Sequence, residues 1–402
     1  MDSSFAPRVL LVLPQFPQDP AAGAPRSLVN ICEMLVASGF QVRALAISAS
    51  ESGKPIKPEK LLDDLKIKFQ IESRKRPELV FCHRGVSFRV IDVAGLTMTK
   101  AYEVYGQYFD AAFDEELRNF QPDAIFTYGG LDADIRRQRR AKNSGAKVVF
   151  GLRNEFYLST DDWHRYIDAF ITPSHFLTDL YRRGIGIETV PLPTPMELQD
   201  VVADEHDPIF LTIINPSFEK GVVLFATLAE ELSKVRPDLP ILVIESRGSA
   251  GRLAEIGLAG GFDLRRHENI MFSPSVPQPK DIYAPTRVLV APSLWQEAGG
   301  RIVGEALVNG IPPLVSDRGA LSEYAGGAGY TFHVPDSITP ATRVPVSPEV
   351  VQPWIDVIVR MFDDEEFYRA ECAKAREAAK RFLPEVLAPQ YVKFFREIIA
   401  KG

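Results

Sequence analysis

Short aliphatic runs alternate with amphipathic stretches along this chain, beginning near its N-terminal end. RVLLVL (8–13) is typical of a buried strand, and RSLVNICEMLVASG (26–39) carries apolar residues at helical spacing up to a closing Gly39. QVRALAI (41–47) predicts a second strand. A strand, a helix and a strand in this order form a βαβ unit, which indicates a parallel sheet.

The alternation is interrupted once and then restarts. Further strands are predicted before the interruption at 123–128, 147–152 and 169–174. The interruption, TVPLPTP (189–195) with the nearby polar segment VVADEHDP, is typical of a linker because prolines and charges break both periodicities. Strands are predicted after it at 209–214, 241–246, 269–274, 287–293 and 312–317, with helices from about 347 to the end.

This pattern predicts an α/β protein with two doubly wound, Rossmann-like domains, at 1–195 and 196–383, followed by a last helix. A chain of 402 residues is too long for one ordinary core, which agrees with two domains. Ligands of such sheets bind beyond the carboxyl ends of the strands, where helices begin. Two facing domains would place the site in the cleft between them.

Composition narrows the functional classes. Hydrophobic residues make up 46% and charged residues 25% of the chain, as in soluble globular proteins, and the net charge of −7 argues against nucleic acid as a partner. No apolar run reaches the roughly 18 residues of a membrane span. Three widely spaced cysteines form neither a disulfide framework nor a metal-ligand spacing, so we expect a cytoplasmic protein.

Two basic runs, SRKR (73–76) and RRQRR (136–140), leave two interpretations open. They are either solvated surface or a weak contact with anionic lipid or an acidic substrate. The second interpretation would add peripheral contact with the inner face of a membrane.

A pair of glutamates around two glycines carries the clearest chemical signal. In SLWQEAGGRIVGEAL (293–307), Glu297 lies in the loop after a predicted strand and Glu305 lies over a turn into the next helix. The unpaired amides and the dipole of a helix N-terminus attract an anion, and glycines let the backbone approach it. Carboxylates on either side can accept hydroxyl hydrogen bonds. A carboxylate, an anion site and a second carboxylate in this order match the sugar, diphosphate and ribose of a nucleotide-diphospho-sugar. The alternative is that one glutamate caps the helix and the other is solvated.

Two cations follow strands of the same predicted domain. Lys220, in NPSFEKG (215–221), opens a helix and can hold a phosphate as a point charge, although a solvated lysine is the alternative. Arg247 follows the next strand and either adds a second positive charge or pairs with Glu245.

The first domain offers weaker signals. AAGAPRS (21–27) places Gly23 and Arg26 at a helix start after the first strand, but it lacks the GxGxxG pattern, which disfavours a dehydrogenase. Tyr102 and Tyr105 lie at helical spacing in AYEVYGQYFDAAF (101–113), which indicates either core packing or an aromatic wall for an acceptor.

These segments together resemble the retaining glycosyltransferases of the GT-B fold, family 4 type, or glycosyl transferases group 1. PSLWQEAGGRIVGEALVNGIPPLVSDRGALSE (292–323) is similar to that family's strand-PS and E-x7-E pattern. NPSFEKG, PSHFLTDLYRRGIGIETVPLP (173–193) and the opening PQFP…GAPRSLVN are similar as well. The resemblance covers nearly the whole chain, most weakly at about 50–120. It implies an acceptor-side first domain, a donor-binding second domain, and a helix at 384–402 that packs back on the first.

The resemblance also implies roles by position. Lys220 would contact the donor diphosphate, Glu297 the donor sugar and Glu305 the ribose, with Arg247 and Arg153 as further catalytic candidates. The remaining donor-binding candidates are Gly23, Asn215, Phe272, Ser273, Pro274, Ala298, Gly299, Gly300, Ile302 and Val303. The acceptor-side candidates are Arg26, Tyr102, Tyr105 and Asn154.

Two positions depart from the family pattern. Asn215 stands where the family usually has an arginine, and Arg247 is expected to supply the missing charge. Arg153 and Asn154 follow the strand after which the family often has a histidine near the donor sugar. We therefore expect either that the donor sugar is bound by different contacts or that the reaction chemistry differs from that of the family.

The implied reaction moves a sugar from a UDP- or GDP-sugar to a hydroxyl of a glycan, a lipid-linked or a small-molecule acceptor, with retention. No cofactor or metal is expected, because the helix amides and cations neutralise the leaving diphosphate and because Asp132 and Asp134 lie in an arginine-rich helical stretch rather than at a strand end. The alternatives are a non-catalytic nucleotide-sugar-binding protein of the same fold, and a GT-B epimerase or phosphorylase.

Overall fold

The computed structural model describes residues 6–19, 22–50, 57–72, 78–93, 96–274, 276 and 278–401. The chain divides into two compact units, Met1–Pro195 with Pro384–Gly402, and Met196–Leu383. The basic run 73–76 lies outside the described residues, whereas the run 136–140 lies within a helix.

The first unit is built on one sheet of nine strands among its described residues. In chain order these are β1 (Arg8–Leu13), β2 (Gln41–Ile47), β3 (Phe69–Ile71), β4 (Glu78–His83), β5 (Val86–Ile91), β6 (Ala124–Thr127), β7 (Lys147–Gly151), β8 (Ala169–Thr172) and β9 (Val190–Pro191). Their order across the sheet is β3-β4-β5-β2-β1-β6-β7-β8-β9. The β3–β4 and β4–β5 pairs are antiparallel, and the other pairs are parallel.

Helices of the first unit cover this sheet. They are α1 (Gly23–Ala37), α2 (Pro58–Asp64), α3 (Met98–Asn119), α4 (Asp132–Asn143) and α5 (His175–Ile185). One apolar core joins β1 and β2 to the inner face of α3, where Phe109 and Phe113 are fully buried. Burial of such aromatic side chains supplies much of the stabilisation of an α/β layer.

The second unit is built on a parallel sheet of six strands. Its strands are β10 (Phe210–Ile214), β11 (Ile241–Ile244), β12 (Ile270–Ser273), β13 (Thr286–Ala291), β14 (Pro313–Ser316) and β15 (Tyr330–Phe332). Their order is β12-β11-β10-β13-β14-β15. The helices are α6 (Leu198–Val201), α7 (Val222–Val235), α8 (Ala250–Ala259), α9 (Lys280–Tyr283), α10 (Arg301–Val308), α11 (Leu321–Ala325), α12 (Pro348–Asp363) and α13 (Glu365–Ala379).

The last helix, α14 (Pro384–Ala400), belongs to the first unit. Its Tyr391 hydroxyl donates hydrogen bonds to the carbonyl oxygens of Leu192, at 3.0 Å, and Pro193, at 3.1 Å. Phe395 packs edge-on against Phe40 and Phe126. The helix is therefore held by both hydrogen bonds and aromatic packing.

The prediction of an α/β fold with parallel sheets is confirmed. Every strand predicted from an aliphatic run is present, with bounds that differ by at most two residues. Five strands were not predicted, namely β3, β4, β5, β9 and β15. β3, β9 and β15 have only two or three residues, and β5 begins with alternating buried and exposed positions, so none of these has a long apolar run. β4 contains the apolar run LVFC, which the sequence analysis did not assign to a strand. None of the described helices has the length and apolar character needed to cross a membrane.

A pair of glycine substitutions tests the close approach of the turn before β15 to β14. Gly327 and Gly329 both have positive φ, 83° and 62°. A Cβ at Gly329 would lie 1.9 Å from the carbonyl oxygen of Pro313, whereas one at Gly327 would meet no atom within 4 Å. We expect Gly327→Ala to cost about 1–2 kcal/mol from the left-handed backbone alone. Gly329→Ala should cost clearly more in urea unfolding, and equal losses would contradict this packing.

Candidate functional site

The glutamate pair lies around the N-terminus of α10, as the sequence predicts. Glu297 lies in the loop between β13 and α10, and Glu305 lies in the second turn of the helix. Gly300 stands at the N-cap and provides no side-chain hydrogen bond. The backbone amides of the first turn therefore have no side-chain cap and can face an anion.

Lys220 and Glu297 form an ion pair in the second unit. The distance from Lys220 Nζ to Glu297 Oε1 is 2.5 Å, and the Ser293 hydroxyl donates a hydrogen bond to the same oxygen. The two side chains retain 32% and 14% exposure, so a polar ligand can reach both. They follow β10 and β13, which are neighbours in the sheet, so residues 77 positions apart meet at one edge.

Backbone contacts hold these two loops together. Gly221, with φ of 80°, is the N-cap of α7, and a Cβ there would lie 1.9 Å from the carbonyl oxygen of Pro292. The carbonyl oxygen of Glu219 accepts a hydrogen bond from the amide of Leu294 at 2.9 Å. Only glycine permits this approach, because any side chain at that position would overlap the opposite backbone.

Asn215 positions the loop that carries Arg247. Its Oδ1 accepts a hydrogen bond from the amide of Gly248 at 2.7 Å, and its own amide donates to Ile244 at 2.8 Å. Its backbone has a φ of 61°, a conformation that asparagine tolerates better than most residues. Asn215 thus joins the ends of β10 and β11, a role that the sequence did not reveal.

Arg247 lies exposed in that loop. The Glu245 Oε1 accepts a hydrogen bond from the amide of Ala250 at 2.6 Å, at the start of α8, and the pairing of Glu245 with Arg247 stays a prediction. The catalytic assignment of Arg247 stays a prediction.

Glu305 is buried and held by two donors. Arg301 Nε donates to its Oε1 at 2.7 Å, and the Tyr283 hydroxyl donates to its Oε2 at 2.7 Å. Burial, followed by the nearby Glu305 charge, raises the pKa of Tyr283 well above its ordinary value, so the phenol stays a donor. A carboxylate has about four lone-pair sites, which leaves acceptor capacity for a ligand.

Arg301 and Tyr283 were not among the predicted site residues. The spacing of Arg301 four residues before Glu305 is a sequence signal for an ion pair on a helix. Nothing local in the sequence points to Tyr283, which lies in α9 and reaches Glu305 through the tertiary fold.

The other residues of this unit that were predicted to bind the nucleotide-sugar donor lie at two places. Phe272 and Ser273 end the edge strand β12, Phe272 is exposed, and the Ser273 hydroxyl donates to the carbonyl oxygen of Pro274 at 3.2 Å. Those at the start of α10 are Ala298, Gly299, Gly300, Ile302 and Val303. Their contacts with a donor stay predictions.

The first unit carries the remaining predicted residues. Gly23 is the exposed first residue of α1, and Arg26 lies half-buried in its first turn. The Tyr102 hydroxyl donates to Asp134 at 2.8 Å, and Tyr105 packs partly buried against the same core. This placement favours the core-packing alternative for both tyrosines; their contact with an acceptor stays a prediction.

Arg153 and Asn154 follow β7 after one intervening residue, Leu152. The carbonyl oxygen of Asn154 accepts a hydrogen bond from the Tyr181 hydroxyl at 2.7 Å. Asp132 and Asp134 begin α4, and Asp134 pairs with Arg137. The described residues contain no group of three or more His, Cys, Asp or Glu side chains arranged to hold a metal ion.

Comparison with known families and structures gives this site a context. Residues 195–343 match the family model of glycosyl transferases group 1. No curated protein matches the sequence. The second unit thus carries a glycosyltransferase family domain, and the prediction of an enzyme of this class is confirmed.

Solved glycosyltransferase structures share the fold of nearly the whole chain. Sucrose-phosphate synthase from Thermosynechococcus elongatus is 16% identical, with a TM-score of 0.68 over 98% of this chain and 100% of that one. Anabaena HepE, in complex with UDP and glucose, is 14% identical, with a TM-score of 0.66 over 97% and 99%. The catalytic domain of starch synthase IV from Arabidopsis thaliana, bound to ADP and acarbose, is 12% identical, with a TM-score of 0.68 over 99% and 100%. These similarities confirm the GT-B fold.

A double-mutant cycle tests the buried contact between Tyr283 and Glu305. Tyr283→Phe leaves one carboxylate oxygen buried without its donor, so we expect the free energy of unfolding to fall by about 1–3 kcal/mol. In a Glu305→Gln background the same change should cost less, because the charged acceptor is already gone. Urea unfolding of the four proteins measures the coupling, and strictly additive losses would disprove the contact.

Proposed function

We propose that this protein is a retaining glycosyltransferase of the family 4 type, which moves a sugar from a nucleotide-diphospho-sugar to an acceptor hydroxyl without a metal. The supporting observation is the convergence of Lys220, Glu297 and the first-turn amides of α10 at the carboxyl edge of one parallel sheet. This convergence lies within the segment that matches the glycosyltransferase family model. A cation and helix amides suit a diphosphate, and a carboxylate beside them suits sugar hydroxyls.

The Lys220–Glu297 ion pair suggests how a donor would enter. Each partner neutralises the charge of the other. A diphosphate that binds Lys220 releases the Glu297 carboxylate, whose oxygens then accept hydrogen bonds from the sugar. This exchange couples recognition of the diphosphate to recognition of the sugar, because binding of the diphosphate to Lys220 frees the Glu297 carboxylate that binds the sugar.

The reaction breaks the bond between the anomeric carbon and the diphosphate oxygen and forms a bond from that carbon to the acceptor oxygen. Positive charge develops on the sugar and negative charge on the leaving diphosphate, which Lys220, Arg247 and the α10 amides stabilise. The leaving phosphate takes the proton of the acceptor hydroxyl on the same face of the sugar. This proposal therefore needs no separate general base.

The other positions complete the proposed substrate contacts. Glu305 holds the ribose, the backbone at Phe272–Pro274 meets the base, and Gly23 approaches the diphosphate. The first unit receives the acceptor, a glycan, a lipid-linked or a small molecule, near Arg26 and Asn154. The proposed location is cytoplasmic, with at most peripheral contact with the membrane.

Nucleotide binding is tested by thermal unfolding. We expect one of UDP, GDP and ADP, or its sugar conjugate, to raise the melting temperature, since a ligand of the folded state adds about 2.7 kcal/mol at 100 times its dissociation constant. For a unit of this size each kcal/mol is worth about 2–4 °C. Glu297→Gln should reduce the additional shift of the sugar conjugate over its free diphosphate. No shift with any of these nucleotides would refute the proposal.

Turnover tests the role of Lys220. We expect Lys220→Ala to lower sugar transfer by about 10²–10³-fold, the cost of removing one group that stabilises developing charge. Lys234→Ala is the matched control, because Lys234 is a surface lysine paired with Glu230 and Glu231. NMR of the product should show a retained anomeric configuration, and EDTA should leave the rate unchanged. Near wild-type turnover in Lys220→Ala would rule out its role, and nucleotide binding without transfer would indicate the non-catalytic alternative.

A further inference from the structure

The guanidinium of Arg153 is buried and has no hydrogen-bond partner among the described residues. Its three nitrogens, Nε, Nη1 and Nη2, are shielded from solvent and make no hydrogen bond within the part of the chain that the structure describes. Removing a charge from water without a counter-charge or hydrogen bonds is strongly unfavourable. The arrangement calls for an anion that the described chain does not provide.

Arg137 of the same unit shows the usual arrangement. Its side chain is 3% exposed, and its guanidinium pairs with Asp110 at 3.1 Å and with Asp134 at 3.3 Å. It also lies over the Tyr102 ring, 4.7 Å from the ring centre. The first unit thus compensates this buried arginine fully, which makes the state of Arg153 a local feature rather than a property of the whole unit.

The backbone fixes Arg153 at the carboxyl edge of the sheet. The residue before it, Leu152, donates its amide to the carbonyl oxygen of Ile171 at 2.9 Å. The residue after it, Asn154, accepts the hydrogen bond from Tyr181. Arg153 is therefore anchored on both sides, where ligands of parallel α/β sheets bind.

A second side chain at this edge is also unsatisfied. Gln18, in the loop from β1 to α1, is 4% exposed, and neither atom of its amide group has a hydrogen-bond partner among the described residues. Only β6 separates β1 from β7 in the sheet, and α1 packs on the end of β7, where a Cβ at Gly151 would lie 3.1 Å from Leu28. The helix that follows Gln18 begins without a side-chain cap. Helix amides, an amide group and a guanidinium thus lie at one edge.

We propose that this edge is an anion subsite and that one sugar substrate carries a carboxylate or phosphate monoester bound by Arg153. The inference rests on the proposed glycosyltransferase function. A guanidinium presents its donors in a planar fork that matches two oxygens of a carboxylate or phosphate. A neutral sugar hydroxyl would leave the buried charge uncompensated. The anionic group belongs either to the transferred sugar, as a uronate, or to the acceptor, as a sugar phosphate.

Thermal unfolding of the full chain without ligand tests the unpaired state. Arg153→Met removes a buried charge for which the described part of the chain offers no hydrogen bond, so we expect the melting temperature to rise. Arg137→Met is the matched control and should lower it, since two carboxylates each lose one charged partner. A comparable decrease in both variants would overturn the proposal, because it would show that Arg153 has a structural partner.

Calorimetric titration tests the ligand. The probes are UDP-glucuronate against UDP-glucose and glucose 6-phosphate against glucose, with UDP replaced if the nucleotide screen selects another base. We expect one anionic probe to bind about 10–100-fold more tightly than its neutral counterpart, the worth of charge-assisted hydrogen bonds. Arg153→Met should abolish this preference and Arg153→Lys should keep part of it. A preference for UDP-glucuronate over UDP-glucose identifies the donor as the substrate that carries the anionic group. A preference for glucose 6-phosphate over glucose identifies the acceptor.

Three results would contradict the subsite. No preference in either arm, with the nucleoside diphosphate bound normally, refutes the anion subsite alone. An equal loss of affinity for the free nucleoside diphosphate in Arg153→Met assigns the guanidinium to the diphosphate instead. No nucleotide binding by the wild-type chain refutes the proposed function, and this inference with it.

Discussion

The ion pair between Lys220 and Glu297 is the contact on which the site of the second unit depends. It exists because β10 and β13 are neighbouring parallel strands whose loops leave at the same edge. Gly221 lets the two loops approach to a distance that a side chain would prevent. A different strand order would separate Lys220 from Glu297. Either residue by itself could equally be a solvated surface side chain, so the binding site is recognised only from the pair.

The two site glutamates of the second unit, Glu297 and Glu305, each have partners within that unit. Glu305 has Arg301 and Tyr283 as partners, and Glu297 has Lys220 and Ser293. A ligand that binds Glu297 must therefore compete with Lys220 and Ser293, whereas the first-turn amides of α10 have no side-chain cap. Such competition favours ligands that supply both a negative charge and hydroxyl groups. The negative charge then binds Lys220, and the hydroxyl groups donate hydrogen bonds to Glu297.

The first unit differs at one edge of its sheet. Arg137 is compensated by two aspartates in the interior, whereas Arg153 and Gln18 are buried with unsatisfied polar atoms. Natural proteins satisfy most buried polar groups, and these exceptions are the observation behind the proposed anion subsite. In that proposal a bound anion supplies the missing partner and stabilises the folded state.

Much of the architecture follows from the sequence alone. Aliphatic runs such as RVLLVL and the prolines at 189–195 determine where buried strands lie and where the alternation breaks, because period and turn chemistry are local properties. The loop position of Glu297 and the helical position of Glu305 follow from the same pattern. Only the tertiary structure decided that Lys220 contacts Glu297, that Asn215 holds the loop of Arg247 and that Tyr283 donates a hydrogen bond to Glu305. It also decided that the buried Arg153 guanidinium has no hydrogen-bond partner among the described residues. These contacts join residues distant along the chain, and strand order and burial, which no local pattern encodes, determine which of them meet.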